Sequence, residues 1–206
     1  MIDFELGWRA VPGMFSTGDG YALQRAVRMA PAGTGVVELG AWCGRSLACI
    51  CDVVPHSVSV FSYDNYLVDS QADGEGASPI TPPVACALRK TVQEHYSKQG
   101  VDVTVHVEEA AEAGAKYIGP PVSALLVDDH HSAEQIAGNL KAWLPKCHDK
   151  CIMLFHDYGH VPYGIIPVCE GVMPAAGFKF VGQPVTSGLG IWSRGFELGQ
   201  GVGTGR

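Results

Sequence analysis

The stretch Val36-Val37-Glu38-Leu39-Gly40-Ala41-Trp42-Cys43-Gly44-Arg45-Ser46 constrains the fold of this chain more than any other. It reads as a short apolar strand, an acid at its tip, a glycine-bracketed turn and the start of a helix. In a parallel α/β sheet such a corner is where a nucleotide-like ligand binds. Gly40 permits a turn that a side chain would obstruct, and Gly44 permits close approach of backbone and ligand. The following helix offers unpaired N–H groups. The spacing E-x-G-x-x-x-G differs from the G-x-G-x-x-G that wraps a pyrophosphate. An acid before the first glycine repels a pyrophosphate and suits a cationic or hydroxyl-rich ligand. That weighs against a nucleotide-dependent oxidoreductase.

Around this corner the chain alternates. Residues 1–34 form a leader: a turn-rich loop from Val11 to Gly20, then a helix over Tyr21–Met29. It can act as a lid over the ligand site or cover a sheet edge. The first strand, Gly35–Leu39, leads to a helix over Gly44–Val53. His56–Tyr63 is β-rich and ends in Asp64, 24 residues beyond Gly40. An acid near this spacing, after the second strand, can accept hydrogen bonds from both ribose hydroxyls. Leu67–Pro83 is long for a connector and is expected to be a mobile loop at the substrate mouth. Val84–Gln99 is a predicted helix with an apolar stripe (Val84, Leu88, Val92) and a basic pair, Arg89-Lys90.

Asp102–Val107 alternates as a third strand, followed by Glu108-Glu109 and a short helix over Ala110–Tyr117. Val122–Val127 is nearly all apolar, as in a strand buried on both faces. It ends in Asp128-Asp129-His130-His131, after which Ser132 caps a helix to Leu144. Cys151–Phe155 is another buried strand, ending in His156-Asp157, and Pro167–Met173 is a short helix. Phe178–Val181 and Leu189–Trp192 read as a closing strand pair, and 199–206 as a frayed tail. The class is α/β: a mostly parallel sheet of about seven strands, helices on both faces, and a C-terminal antiparallel strand. Residues 35–198 form its ligand-binding domain.

Composition narrows the partners. The net charge is −7 with no basic cluster, which argues against nucleic acid. No apolar run reaches about 18 residues, so no membrane span is expected, and the N-terminus lacks a signal pattern. The seven cysteines are irregularly spaced and read as reduced thiols of a cytoplasmic protein. Cys147-His148-Asp149-Lys150-Cys151 has some metal-like character but reads as a loop between a helix and a strand.

The polar strand ends carry the chemistry. Asp128 follows the fourth strand and His156-Asp157 the fifth. Neighbouring strands lie about 4.8 Å apart, so their tips can share one divalent cation. Mg²⁺ and Mn²⁺ are the first candidates; a pure Mg²⁺ site favours all-oxygen ligands, so His156 leaves Mn²⁺, Fe²⁺ or Zn²⁺ open. His131, three residues beyond Asp128, suits a general base acting on a substrate hydroxyl. His130 and His160 stay open as substrate contacts, metal neighbours or solvated residues.

The glycine turn resembles the first motif of the class I S-adenosylmethionine-dependent methyltransferases, which share a Rossmann-like fold. The runs Val127–Glu134, Leu140–Pro145 and Leu154–Tyr158 resemble the group that includes macrocin-type sugar O-methyltransferases and cephalosporin-hydroxylase-like proteins. The resemblance implies S-adenosylmethionine held by Glu38, Gly40, Ala41, Gly44, Ser46 and Asp64, with Glu109 or Glu108 near the adenine. It implies a cation on Asp128, His156 and Asp157, and His131 as base. Asp129 stands in place of the group's usual glycine, and His156 in place of an acid. The expected reaction is O-methylation of a small hydroxylated acceptor, such as a sugar or secondary metabolite. A second subunit of a homo-oligomer could complete the pocket. A non-catalytic scaffold and a metal-dependent hydrolase are the alternatives; the latter leaves Glu38 and Asp64 unexplained.

Overall fold

The computed structural model describes residues 2–66, 80–160 and 163–196. After a 3₁₀ turn at Phe4–Ala10 comes α1 (Thr17–Val27), then β1 (Gly35–Leu39), α2 (Arg45–Cys51) and β2 (Ser59–Tyr63). Next are α3 (Pro82–Lys98), β3 (Val103–His106), α4 (Ala110–Lys116), β4 (Val122–Val127) and α5 (Ala133–Trp143). The chain continues through β5 (Cys147–Phe155), α6 (Ile165–Val172), β6 (Lys179–Gly182) and β7 (Gly190–Arg194). The sheet order is β3-β2-β1-β4-β5-β7-β6, and β7 runs antiparallel to both neighbours.

The period of two along each strand divides the core. Val36, Val60, Leu126 and Leu154 face one cluster with Leu23 and Val27 of α1, Leu47 and Ile50 of α2, and Val92 and Tyr96 of α3. Val37, Leu125 and Met153 face the other, against Ala113 of α4, Ile136 and Leu140 of α5, and Cys169 of α6. Among the described residues, three helices cover each face. The leader belongs to the first cluster: Trp8, Val11 and Phe15 are buried in it. Among the described residues, no helix is long and apolar enough to cross a membrane.

Register positions the site. Leu39 pairs with Tyr63 on one side and Val127 on the other, and Val127 pairs with Phe155. The next residues, Gly40, Asp64, Asp128 and His156, therefore emerge together at one edge.

Several expectations need correction. Cys147–Lys150 is the first part of β5, not a loop. The pairing jumps from Val122–Cys147 to Ala124–Ile152, so a wide bulge absorbs the extra residues. On α3 the buried residues are Ala85, Arg89, Val92 and Tyr96, whereas Val84 is exposed. A buried arginine displaced the apolar stripe because its guanidinium finds partners inside. Helix α1 begins at Thr17, before the expected Tyr21, because Ser16 and Asp19 form a reciprocal capping box. The cysteines, by contrast, agree with the expectation of reduced thiols: all seven are free and five are buried. Most of the Leu67–Pro83 loop and the 199–206 tail lie outside the described residues.

Candidate active site

The glycine corner is built as its sequence implies, and its amides have a specific partner. Gly40 has φ 81° and Gly44 φ 88°. A Cβ on Gly40 would fall 2.1 Å from the carbonyl oxygen of Asp128, so only glycine lets β1 and β4 end side by side. A Cβ on Gly44 would instead meet Arg89 at 3.1 Å, so that glycine serves helix packing. Oδ2 of Asp64 accepts the N–H groups of Ala41 and Trp42 at 2.8 and 2.6 Å, and Oδ1 accepts that of Tyr66 at 2.7 Å. Asp64 thus holds the turn in shape, a role beside the expected contact to ribose.

Glu38 is fully buried beneath this turn. It accepts a 2.6 Å hydrogen bond from the Ser62 hydroxyl and is also bonded by Ser46 in the first turn of α2. Burial pushes its carboxyl up to about 7, against the opposing pull of these hydroxyls and of Arg89. Arg89 donates to the His106 carbonyl at 2.9 Å and lies over the Tyr66 ring. This buried charge sat inside an ordinary basic pair and was not legible.

Three non-glycine residues among those described adopt left-handed φ: Trp42 (44°), Tyr66 (54°) and Asp157 (51°). They follow β1, β2 and β5, along the same edge. Strain of this kind gathers where side chains must be aimed at a ligand.

Between β4 and β5 the titratable groups converge. Nδ1 of His156 lies 2.9 Å from Oδ1 of Asp128 and 3.5 Å from Oδ2 of Asp157. Nε2 of His131 is 3.7 Å from the same Asp128 oxygen and 4.0 Å from Oδ2 of Asp157. The His131 ring stacks on Tyr163 at 4.8 Å. Both imidazole nitrogens are buried, yet neither makes an aligned hydrogen bond. Two imidazole nitrogens and a carboxylate gathered this closely without a hydrogen bond among them are a donor set that a cation could take. Asp128, His131 and His156 form the one cluster of three such side chains, among the described residues, compact enough to hold a metal ion. Asp157 stands at its rim, with its side chain 40% exposed. The expected ligands Asp128 and His156 are therefore together, with His131 closer to them than sequence reasoning placed it.

Charge agrees with geometry. Burial alone would raise the Asp128 carboxyl, but the nearby His156 and His131 imidazoles hold it below the usual range. Burial alone would lower His156, but Asp128, Asp157 and Asp19 raise it well above an ordinary histidine. Asp19, from α1, was missed; Nε2 of His156 is 3.5 Å from its Oδ2. The Phe15 ring stacks on His156 at 5.5 Å. Arg45 fixes the leader there by donating to the carbonyls of Gly13, Phe15 and Arg9 at 2.6, 3.2 and 3.0 Å.

Other candidates have structural partners. Glu109 caps α4, accepting the Glu112 N–H at 2.7 Å, and is also bonded by Gln135. Asp129 accepts from Asn139 at 2.8 and 2.9 Å, and burial pushes its carboxyl up to about 6. His160 lies against the Tyr163 ring at 4.3 Å, and His130 accepts the Ser132 N–H at 3.4 Å.

A family model described as a methyltransferase domain matches residues 37–158. No curated protein matches the chain. Among solved structures, the chain is similar to CalS11, described as a TDP-rhamnose 3′-O-methyltransferase of calicheamicin biosynthesis. That match has 16% identity, covers 86% of this chain and 78% of that one, and has TM-score 0.65. The O-methyltransferase NovP matches at 13% identity, covering 85% and 78%, with TM-score 0.58. A protein from Corynebacterium glutamicum matches at 10% identity, covering 92% and 85%, with TM-score 0.68. At these identities the likeness establishes a Rossmann-like methyltransferase fold.

Proposed function

The chain belongs to the methyltransferase-domain family, and from that premise we propose that it moves a methyl group from S-adenosylmethionine to a hydroxyl of a small acceptor. The observation that carries the reading is the shared edge. The glycine turn with Asp64, and the Asp128–His131–His156–Asp157 cluster, emerge from register-aligned strand tips. When bound, S-adenosylmethionine supplies an electrophilic methyl group, and a divalent cation such as Mg²⁺ or Mn²⁺ supplies positive charge that acidifies a hydroxyl.

The residues do the rest. Gly40, Ala41 and the Asp64-held turn shape the cofactor seat, with Glu38 and Ser46 beneath it and Glu109 at the adenine side. Asp128 and His156, with Asp157 at the rim, would hold the cation and leave His131 to the acceptor. His131 takes the hydroxyl proton at Nε2, its ring steadied by Tyr163. Alignment of acceptor and methyl group supplies much of the rate. The acceptor is a sugar or similar polyhydroxylated metabolite, in keeping with the likeness to CalS11, a TDP-rhamnose 3′-O-methyltransferase.

The test is calorimetric titration with S-adenosylmethionine, with and without Mn²⁺, followed by methyl transfer to a panel of sugar nucleotides and phenols. Micromolar cofactor binding and cation-stimulated transfer to oxygen are expected. No binding by the folded protein would overturn the reading. His131→Gln should retain cofactor and Mn²⁺ binding while losing turnover; a parallel loss of Mn²⁺ binding would make His131 a ligand.

A further inference from the structure

The N-terminal helix carries a carboxylate that the reaction above leaves unassigned. Asp19 is 3% exposed, in the first turn of α1. Its Oδ2 accepts the Ser16 N–H at 2.9 Å, half of the capping box. A cap needs no more. Yet Oδ1 also accepts the Ser187 hydroxyl at 2.8 Å and the Gly188 N–H at 2.7 Å. Contact there is tight: a Cβ on Gly18 would fall 1.7 Å from the Thr186 carbonyl oxygen. Held from both sides, Oδ2 faces Nε2 of His156 at 3.5 Å. The opposite ring nitrogen, Nδ1, is the one that faces Asp128 and Asp157.

A neutral imidazole has one lone pair, on the nitrogen that carries no hydrogen. With Asp128 and Asp157 engaged by a cation, the carboxylate against the other nitrogen decides which one that is and fixes the ring's direction. Phe15, stacked on the same ring, hinders its rotation.

We propose that Asp19 is the positioning carboxylate of the site: it holds Nε2–H of His156 so that Nδ1 is presented to a divalent cation shared with Asp128 and Asp157. The leader thereby completes a site whose ligands come from β4 and β5. This rests on the cation reading above.

The test uses the full chain, with Mn²⁺ as probe in calorimetry. Asp19→Asn should weaken Mn²⁺ binding by about 10- to 100-fold relative to wild type. Ser16→Ala, which removes the other half of the capping box and spares the carboxylate, should bind as wild type does. A cooperatively folded Asp19→Asn protein with wild-type affinity would overturn the proposal. Equal weakening in both variants would also overturn it, leaving only a helix cap. A measurement on the wild type guards against a variant that does not fold: ¹⁵N spectra of its histidines with Zn²⁺ bound. Coordination through Nδ1 of His156 with the proton on Nε2 is expected; coordination through Nε2 would overturn the assignment. A wild-type protein that binds neither Mn²⁺ nor Zn²⁺ removes the cation reading itself, and this proposal with it.

Discussion

Nδ1 of His156 and Oδ1 of Asp128 stand 2.9 Å apart at the ends of neighbouring strands without meeting as donor and acceptor. Asp128 also faces His131, so one carboxylate organises both imidazoles. Asp128→Ala should lower Mn²⁺ affinity and methyl transfer by about 100-fold or more while leaving S-adenosylmethionine binding in place. Calorimetry with each ligand checks this. Unchanged Mn²⁺ affinity would exclude Asp128 as a ligand.

Glu38 sets a pH dependence of stability. Its carboxyl is raised by burial from 4.5 to about 7, so the unfolded chain gives up this proton at lower pH than the folded one. Its contribution is full below pH 4.5 and is lost as pH rises through 7. The stability of Glu38→Gln relative to wild type should therefore grow by about 2–3 kcal/mol between pH 5 and pH 8. Urea midpoints of both proteins at the two pH values decide it; parallel pH profiles would refute the buried acid's role.

Asp64→Ala removes the acceptor of three backbone N–H groups. The expected cost is about 2–4 kcal/mol of stability together with at least about tenfold in cofactor affinity. Thermal melting and S-adenosylmethionine titration separate its two roles. Weaker cofactor binding with unchanged stability would mean that ribose contact, not loop support, is its whole contribution.

Gly40→Ala should destabilise the protein by about 2–4 kcal/mol, since it combines positive φ with a collision against the Asp128 carbonyl. A change below about 0.5 kcal/mol in urea unfolding would show that the two strand ends can part freely.

Arg45→Ala releases three leader carbonyls. Amide hydrogen exchange over residues 9–15 should quicken by about tenfold or more, with β4 and β5 unaffected. Unchanged exchange there would mean that the burial of Trp8, Val11 and Phe15 alone holds the segment.

The sheet was legible because apolar strands end in polar residues, and because register then carries Gly40, Asp64, Asp128 and His156 to one edge. Ser132 was readable as a helix cap, and it caps α5 by accepting the Gln135 N–H. The grouping of Asp128 with His156 followed from strand adjacency. Asp19 was not legible as part of the site, because its partners Ser187 and Gly188 lie 168 and 169 residues away. Only its capping-box spacing with Ser16 was local, and it marked the true start of α1. Arg89 escaped because hydrophobic periodicity gives no credit to a charge that is satisfied inside. The bulge at the start of β5 escaped because alternation says nothing about extra residues between two pairings.

The family match begins at Val37, downstream of the whole leader. Yet that leader sets Phe15 and Asp19 against His156, and Arg45, eight residues into the matched segment, pins it there. The reaction chamber is therefore modular in an asymmetric way. Its floor comes from the shared sheet, and one wall is an appendage held by Arg45, by the burial of Trp8, Val11 and Phe15, and by the bonds of Asp19 to Ser187 and Gly188. Exchanging residues 1–34 would therefore change the surroundings of His156 while leaving the strand tips where they are.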